Sequence, residues 1–279
     1  MARELNRRRE DHRRREDHRR REDDRRREDV QAVEENEGQL EGRNALTEAL
    51  RSGRTIDKVF IAAGETDQGL QRLAAQAKQA GAVVVPVDRR KLDYMSATGA
   101  HQGVIALAAA REYCSLDDIL QVAADRGEAP LIVICDELTD PHNLGAILRS
   151  AECAGAHGVV IPKRRSVGLT AVVAKASAGA VEYMKVARVT NINAAMEELK
   201  KKGVWVFGTA AEGSIPMYQA DLTGPAAIVI GSEGDGMSRL VREHCDVTVH
   251  IPMKGSISSL NASCAATILL YEALRQRLS

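Results

Sequence analysis

The sequence has few aromatic residues, no excess of charge of either sign and no long apolar segment. Only 3% of its 279 residues are aromatic, which argues against an aromatic platform for stacking single-stranded nucleic acid. Basic and acidic residues number 39 each, so the formal net charge is zero. That balance excludes a protein that finds nucleic acid through its overall charge, but it leaves room for a local basic patch. No apolar run approaches the roughly 18 residues of a membrane-spanning helix.

The cysteines lack the number and spacing of a disulfide framework or a zinc site. There are five, an odd number, and no two form a CxxC pair,. Their positions are Cys114, Cys135, Cys153, Cys245 and Cys264. The N-terminus is charged from the third residue and does not have the pattern of a secretory signal,. We therefore expect reduced cysteines and a cytoplasmic location.

Residues 1–36 differ in composition from the rest of the chain. Residues 7–30 consist of four copies of a six-residue unit that begins with three arginines and continues with two acids. The segment holds 13 Arg and 12 acidic residues and almost nothing that could form a core. We expect a charged tail without a defined fold. The alternative is an arm that contacts RNA, which the near-balanced charge does not favour.

Residues 37–110 have the pattern of a small α/β domain. The spacing of the apolar residues, and the glycines that end several segments, predict strands at 58–62, 82–87 and 103–108 and helices at 44–50, 68–80 and 89–95,. Residues 111–130 are polar and are expected to be a linker with one short helix after Ser115. The remaining residues, 131–279, alternate strand-like and helical stretches, which predicts a parallel sheet with helices on both faces. Its last helix is expected from about Ser259 to Leu278.

Three segments of residues 131–279 carry polar groups that a plain scaffold does not need. In the first, residues 136–151, Asn143 and Arg149 lie six positions apart on a predicted helix. They can face one site only if Asn143 lies in the first turn of that helix. The alternative for Arg149 is a surface or ion-pairing residue.

The second segment, residues 231–237, is a glycine-rich loop between a strand and a helix. Glycines at 231, 234 and 236 would let a ligand approach the backbone closely,. Glu233 occupies the position of the second glycine of a dinucleotide fingerprint, where its carboxylate would oppose a pyrophosphate. This argues against a nicotinamide dinucleotide enzyme.

The third segment, residues 251–263, opens the last helix and is rich in hydroxyl and amide groups. It contains Ser256, Ser258, Ser259 and Asn261. Ordinary capping of the helix N-terminus would account for one of these side chains but not for the whole run.

Together the three segments resemble a known family. DPHNLGAILRSAECAG, IVIGSEGDGMS and IPMKGSISSLNASCAA are similar to the three motifs of the SpoU (TrmH-like) RNA ribose 2′-O-methyltransferases of the SPOUT class. The match covers about residues 131–275. Residues 40–110, which contain HQGVI at 101–105, resemble the small L30-like substrate-binding domain of the same family.

The resemblance implies a SPOUT-type parallel sheet that ends in a C-terminal trefoil knot, in a protein that works as a homodimer. It implies S-adenosylmethionine as cofactor, bound mainly through the backbone at Gly231, Ile251 and Leu260, with Thr209 on a neighbouring loop. Catalytic roles fall on Arg149, with Asn143, Glu233, Ser259 and Asn261 in support. No metal is required. The two-domain layout is most like that of the enzymes that methylate a guanosine of 23S rRNA.

The resemblance also makes His101 and Gln102 candidates for contact with RNA; the alternative is that they shape a turn before a strand. Two other functions stay open. One is methylation of tRNA, or of rRNA to confer antibiotic resistance, by an enzyme of the same class. The other is a non-enzymatic RNA-binding or ribosome-assembly protein, which would be expected to lack the catalytic residues; Asn143, Arg149, Glu233 and Asn261 are all present.

Overall fold

A computed structural model of the chain describes residues 38–64, 67–211 and 215–279. The predicted tail, residues 1–36, lies outside the described residues. Two sheets organise the described part, one of four strands and one of seven. No helix in these three ranges is both long and apolar enough to cross a membrane.

The four-stranded sheet belongs to the first part of the chain. Its strands are β1 (Gln39–Glu41), β2 (Ile56–Ala62), β3 (Val83–Val87) and β4 (Val104–Ala108), in the order β1-β4-β2-β3. Three helices accompany it, α1 (Arg43–Arg51), α2 (Gln68–Gln79) and α3 (Arg89–Met95). The sequence predicts all of these elements except β1, whose three residues are too few to show a pattern.

Both faces of this sheet carry packed apolar side chains. One face buries Leu46 of α1 and Leu70 of α2 against Val59 of β2. The other face buries Leu92 of α3 against Ile105 of β4. The result is an independent small core of the kind expected for a separate α/β domain.

A helix connects the two sheets. Helix α4 (Leu116–Arg126) begins with a capping box in which Ser115 and Asp118 satisfy each other's backbone N–H groups,. The predicted short helix after Ser115 is therefore confirmed. Its Ile119 is fully buried in the core of the larger sheet, and the N–H of Cys114 donates to the carbonyl of Val186 at 2.9 Å. Residues 114–126 thus pack as part of the larger domain.

The seven-stranded sheet is parallel throughout, as predicted. Its order is β7-β6-β5-β10-β8-β11-β9. The strands are β5 (Leu131–Cys135), β6 (Gly158–Pro162), β7 (Val186–Val189), β8 (Trp205–Thr209), β9 (Ile215–Pro216), β10 (Ala226–Ile230) and β11 (Val247–His250). All residues of β5 and β10 are buried, because helices cover both faces at the centre of the sheet. The trefoil knot stays a prediction.

The helices of this domain lie on the two faces of the sheet. They are α5 (Pro141–Cys153), α6 (Ala171–Ala176), α7 (Ile192–Lys201), α8 (Arg239–Glu243) and α9 (Ala262–Arg277). Leu144 of α5 and Leu269 of α9 belong to the core on one face, and Met196 and Leu199 of α7 to the core on the other. Helix α9 begins at Ala262 and not at Ser259, because Asn261 caps it; residues 252–260 are exposed and lie outside any helix or strand.

Candidate functional site

Two of the three motif segments meet where the central strands end. Strands β5 and β10 end side by side, since Ile230 pairs with Cys135. Just beyond, the N–H of Asp136 donates to the carbonyl of Ile230 at 2.8 Å. The buried carboxylate of Asp136 accepts from the N–H of Ser238 at 2.7 Å. Asp136 therefore fixes the end of the glycine-rich loop, residues 231–237, beside the start of the first segment.

Three polar side chains, one from each motif segment, form a hydrogen-bonded cluster. Asn143 Nδ2 donates to Glu233 Oε1 at 3.0 Å, and Asn261 Nδ2 donates to Asn143 Oδ1 at 2.9 Å. Asn261 Nδ2 also contacts Glu233 Oε1. Asn143 lies 90 and 118 positions from its two partners, so only the folded domain brings them together.

Asn261 also determines where the last helix begins. Its Oδ1 accepts from the N–H groups of Ser263 at 3.0 Å and Cys264 at 3.3 Å. These are two of the N–H groups that a helix N-terminus leaves without a backbone partner. One side chain thus uses its oxygen for the helix and its nitrogen for the cluster, which couples the position of α9 to the site.

A concave pocket of about 350 Å³ lies beside this cluster. Its walls come from residues 137–140 together with Asn143, and from residues 232–235. Four carboxylates line it, those of Glu137, Asp140, Glu233 and Asp235. Cys135 lies at the end of the adjacent strand, where burial raises the pKa of its thiol to about 12. The thiol therefore stays protonated at neutral pH and is not a nucleophile.

Three of the four residues expected to bind the cofactor lie at the carboxyl ends of neighbouring strands of the large sheet. Thr209 ends β8, Gly231 follows β10, and Ile251 follows β11, three strands that are neighbours in the sheet. Leu260 lies in the segment that leads to α9. Parallel α/β sheets bind ligands at the carboxyl ends of their strands, which is where Thr209, Gly231 and Ile251 lie. The Thr209 hydroxyl donates to the carbonyl of Val229 at 2.8 Å, so its side chain ties β8 to β10.

These strand ends fit a ligand with apolar and backbone-binding parts. A Cβ at Gly231 would lie about 2 Å from backbone atoms of Gly236 and Met237, so only glycine lets the loop fold back this closely. In the segment between β11 and α9, Met253, Ile257 and Leu260 are 40%, 75% and 38% exposed. Exposed apolar side chains next to free backbone groups suit the adenine and thioether parts of S-adenosylmethionine.

Arg149 and Ser259 are not part of the hydrogen-bonded cluster. Asn143 is the third residue of α5 and lies in its first turn, which meets the condition for sharing a site with Arg149. Asn143 is buried, however, whereas Arg149 and Ser259 are exposed. Within the three described ranges, Arg149 has no hydrogen bond or ion pair to another residue. Its guanidinium is therefore available to a ligand.

His101 and Gln102 shape a turn in the small domain. The imidazole of His101 is buried; its Nε2 lies 2.9 Å from Asp93 Oδ1, and its Nδ1 accepts from the N–H of Gly103 at 3.1 Å. Gln102 is exposed and has a left-handed backbone, with φ 50°. The structure thus shows the turn before β4 that the alternative role of these two residues requires. Of the two side chains, only Gln102 lies at the surface; contact with RNA stays a prediction.

Sequence reasoning missed two features that position the site. One is Asp136, whose signal was an acidic residue directly after a buried strand. The other is a buried contact between the two domains: Asp57 and Arg188 form an ion pair of 2.5 Å with side chains only 8% and 7% exposed. Asp57 lies beside Lys58 in β2 and Arg188 is the charged residue of β7, but nothing in the sequence of either strand indicates that the two are partners.

Family models match both domains. The SpoU rRNA Methylase family matches residues 130–271. A model described as RNA 2′-O ribose methyltransferase substrate binding matches residues 39–114.

Curated relatives match over most of their length. The chain is 50% identical to YacO of Bacillus subtilis (strain 168), assigned to the TrmH family of tRNA/rRNA methyltransferases, over 85% of this chain and 94% of YacO. It is 45% identical to the 23S rRNA (guanosine-2′-O-)-methyltransferase RlmB of Ralstonia nicotianae, over 85% of this chain and 95% of that protein.

Solved structures have the same fold. The SpoU methyltransferase AviRb of Streptomyces viridochromogenes, in complex with AdoMet, has a TM-score of 0.55 at 27% identity, over 86% of this chain and 90% of AviRb. An AdoMet-bound rRNA methyltransferase of Sinorhizobium meliloti has a TM-score of 0.55 at 25% identity, over 86% of this chain and 88% of that protein.

Proposed function

Since this chain belongs to the SpoU rRNA methylase family and is an RNA 2′-O-methyltransferase, we propose that it uses S-adenosylmethionine to methylate the ribose of a guanosine in 23S rRNA. The observation that carries the proposal is the cluster of Asn143, Glu233 and Asn261. It joins the three motif segments at the carboxyl ends of the strands, where three of the four expected cofactor residues lie. A binding protein without catalysis would have no need for this arrangement.

The cofactor residues are Gly231, Ile251 and Leu260, chiefly through their backbone groups, with Thr209 at the end of the neighbouring strand. The exposed apolar side chains beside them fit the adenine and the thioether. When bound, S-adenosylmethionine supplies an electrophilic methyl group on a sulfonium centre. The protein's own task is to hold a ribose hydroxyl in position and to help its proton leave.

Arg149 is the residue that acts on the hydroxyl. A guanidinium is a poor general base, so we assign Arg149 positioning and polarisation of the 2′-hydroxyl together with the phosphate of the target nucleotide. Its exposure and its lack of a partner within the described part of the chain leave the guanidinium able to bind both groups.

The other polar residues keep the site in shape. Asn143 and Glu233 hold the first helix and the glycine-rich loop together, and Asn261 adds the last helix. Ser259 is exposed just before Asn261 and is assigned a contact with the ribose or phosphate. Gln102, beside the buried His101, is assigned a contact with RNA at the surface of the small domain.

We further propose a cytoplasmic homodimer. All five cysteines are free, which accords with a reducing compartment. Tyr271 on helix α9 and Leu278, directly after the end of that helix, are 47% and 79% exposed. An exposed apolar surface on a helix that starts at the site is a natural place for a second copy of the chain.

tRNA is the alternative substrate, because the Bacillus subtilis relative carries a name that includes both RNAs. The small domain favours rRNA: the TrmH/SpoU tRNA modifying enzyme of A. aeolicus matches only 54% of this chain. The deciding experiment incubates the protein with tritiated S-adenosylmethionine and purified rRNA or tRNA. We expect label in 23S rRNA, at a guanosine whose 2′-O-methyl group is then mapped. Label confined to tRNA would favour the alternative, and label in neither would contradict the proposed activity.

A further inference from the structure

Three consecutive basic residues follow strand β6, next to the pocket. Lys163, Arg164 and Arg165, here called the basic run, come directly after Pro162, the last residue of β6. Strand β6 pairs with β5, so the run begins one strand away from the wall of the pocket. Backbone hydrogen bonds hold the turn at both ends: Lys163 N–H donates to the Val189 carbonyl at 2.8 Å, and Val167 N–H to the Leu138 carbonyl at 2.9 Å.

The last residue of the run reaches the rim of the pocket. Arg165 Nη1 lies 2.8 Å from Glu137 Oε1, and Glu137 lines the pocket. Both residues have left-handed backbones, with φ 55° for Arg165 and 56° for Glu137. This conformation is uncommon for residues other than glycine and often accompanies function. Two such residues facing each other across the rim hold a guanidinium beside the site.

The first residue of the run points to the other domain. Lys163 Nζ lies 3.7 Å from the position that a Cβ on Gly81 would take, and Gly81 lies between α2 and β3 of the small domain. The basic run therefore extends from the pocket rim to the small domain. An RNA strand that runs from the pocket to the Gly81 turn of the small domain would pass along the basic run.

The charge of the pocket explains why cations are needed here. Four carboxylates line the pocket, and they repel the phosphates of any RNA strand that enters. The side chain of Arg165 is 80% exposed, and Arg164 is also exposed. An exposed ion pair such as Arg165 with Glu137 is screened by water and contributes little to stability, so Arg165 can exchange Glu137 for a phosphate readily.

We propose that the basic run binds phosphates of the RNA strand next to the target ribose, and that Arg165 leaves Glu137 when the strand arrives. This inference rests on the proposed function, because it takes RNA as the substrate. Arginine suits the role, since its planar fork matches phosphate geometry and its charge persists at all working pH values.

The test compares the double variant Arg164→Gln/Arg165→Gln with the control Arg126→Gln/Lys201→Gln. The control also removes two exposed positive charges. They lie at the ends of α4 and α7, the helices that precede β5 and β8, and therefore at the amino ends of the strands, opposite the site. RNA affinity is measured by filter binding over a range of KCl concentrations, and KM and kcat are measured with the RNA that the wild type methylates. S-adenosylmethionine binding and thermal unfolding are followed in parallel.

We expect KM for RNA to rise about tenfold or more in the test variant, with kcat within about twofold of wild type. The slope of log affinity against log salt should become shallower by about 1.4, since each lost phosphate contact on a single strand accounts for about 0.7. The control should keep the wild-type KM and slope. An unchanged slope in the test variant, or a fall in kcat without a rise in KM, would overturn the proposal.

A second variant tests the exchange itself. Glu137→Gln frees Arg165 from its carboxylate and removes one negative charge from the pocket wall, so RNA affinity should rise. An RNA affinity at or below that of the wild type would contradict the exchange. If the wild type methylates no RNA, the proposed function fails; if it does and these variants match it, only the role of the basic run fails.

Discussion

Arg188 Nη1 lies 2.5 Å from Asp57 Oδ1, across 131 residues of sequence and between the two domains. Arg188 Nη2 also donates to the Asp57 carbonyl at 3.0 Å, and the guanidinium carbon lies 5.1 Å from the centre of the Tyr113 ring. Gly168 closes the cluster, because a Cβ there would lie 2.2 Å from Asp57 Oδ2. Burial is the main reason that the pKa of Tyr113 is raised above its usual value, so its hydroxyl stays protonated.

This contact predicts that Arg188→Met destabilises the protein. Removing one partner of a buried ion pair leaves the other charge without compensation and costs about 3–5 kcal/mol. We expect the free energy of unfolding, measured in urea, to fall by about 3 kcal/mol or more. The double variant Arg188→Met/Asp57→Asn, which leaves no charge behind, should recover part of that loss. A fall of less than about 1 kcal/mol in the single variant would show that the pair does not hold the domains together.

Asn261 predicts a separation of stability from activity. Serine caps a helix about as well as asparagine but lacks the amide donor, whereas loss of the cap costs about 1 kcal/mol. Asn261→Ser should therefore keep the unfolding free energy within about 0.5 kcal/mol of wild type and still lower methyl transfer, because Asn143 and Glu233 lose its Nδ2. Asn261→Ala should lose both. Stability is measured by urea unfolding and activity by transfer of labelled methyl groups to RNA. Full activity in Asn261→Ser would show that the cluster is dispensable.

His157 predicts a loss of stability in mild acid. It is 2% exposed, its Nδ1 accepts from the N–H of Leu131 at 2.9 Å, and its Nε2 lies 3.0 Å from Glu128. Burial lowers the pKa of His157 below its ordinary value of 6.5, although Glu128 opposes the shift. The unfolded chain thus takes up the proton first as the pH falls. Unfolding free energy should be greatest above pH 6.5 and decline below it, by at most about 1.4 kcal/mol per pH unit for one proton.

The matched variant is His157→Gln, whose amide oxygen can still accept from Leu131. Urea unfolding at several pH values between 5 and 7.5 is the measurement. We expect the variant to show a weaker decline in acid than the wild type. The same decline in both proteins would assign the acid sensitivity to other groups.

The sequence predicts the large sheet well because most of its strands are short, largely apolar runs followed by a turn residue; the exception is β9, whose two residues are too few to show a pattern. The resemblance to the three family motifs places the cluster members Asn143, Glu233 and Asn261 among the expected catalytic residues. It does not separate them from Arg149 and Ser259, which lie outside the cluster.

The sequence does not predict which atoms are in contact. Helix α9, for example, starts where Asn261 Oδ1 accepts hydrogen bonds from the backbone, and a repeating apolar pattern does not indicate a single hydrogen bond of this kind. The Asp57–Arg188 pair is beyond sequence reasoning for the same reason, because nothing local in β2 indicates a partner in β7.

Arg149 predicts a collapse of methyl transfer with cofactor binding intact. Its side chain is exposed on α5, whereas the expected cofactor residues Gly231, Ile251 and Leu260 lie on other segments. Arg149→Ala should therefore leave S-adenosylmethionine affinity unchanged and lower turnover by about 10²–10⁴, the range expected for loss of an activating group.

The conservative variant distinguishes this role from a structural one. Arg149→Lys should not restore turnover, because a compact ammonium cannot hold a phosphate and a hydroxyl together as the planar guanidinium can. Were Arg149 only a surface residue, lysine would be nearly neutral, and alanine would leave turnover close to that of the wild type. Turnover on RNA and calorimetric titration with S-adenosylmethionine, carried out on both variants, decide between the two. Near-normal turnover in Arg149→Lys would remove Arg149 from the catalytic residues and would leave the Asn143, Glu233 and Asn261 cluster as the part of the site to test next.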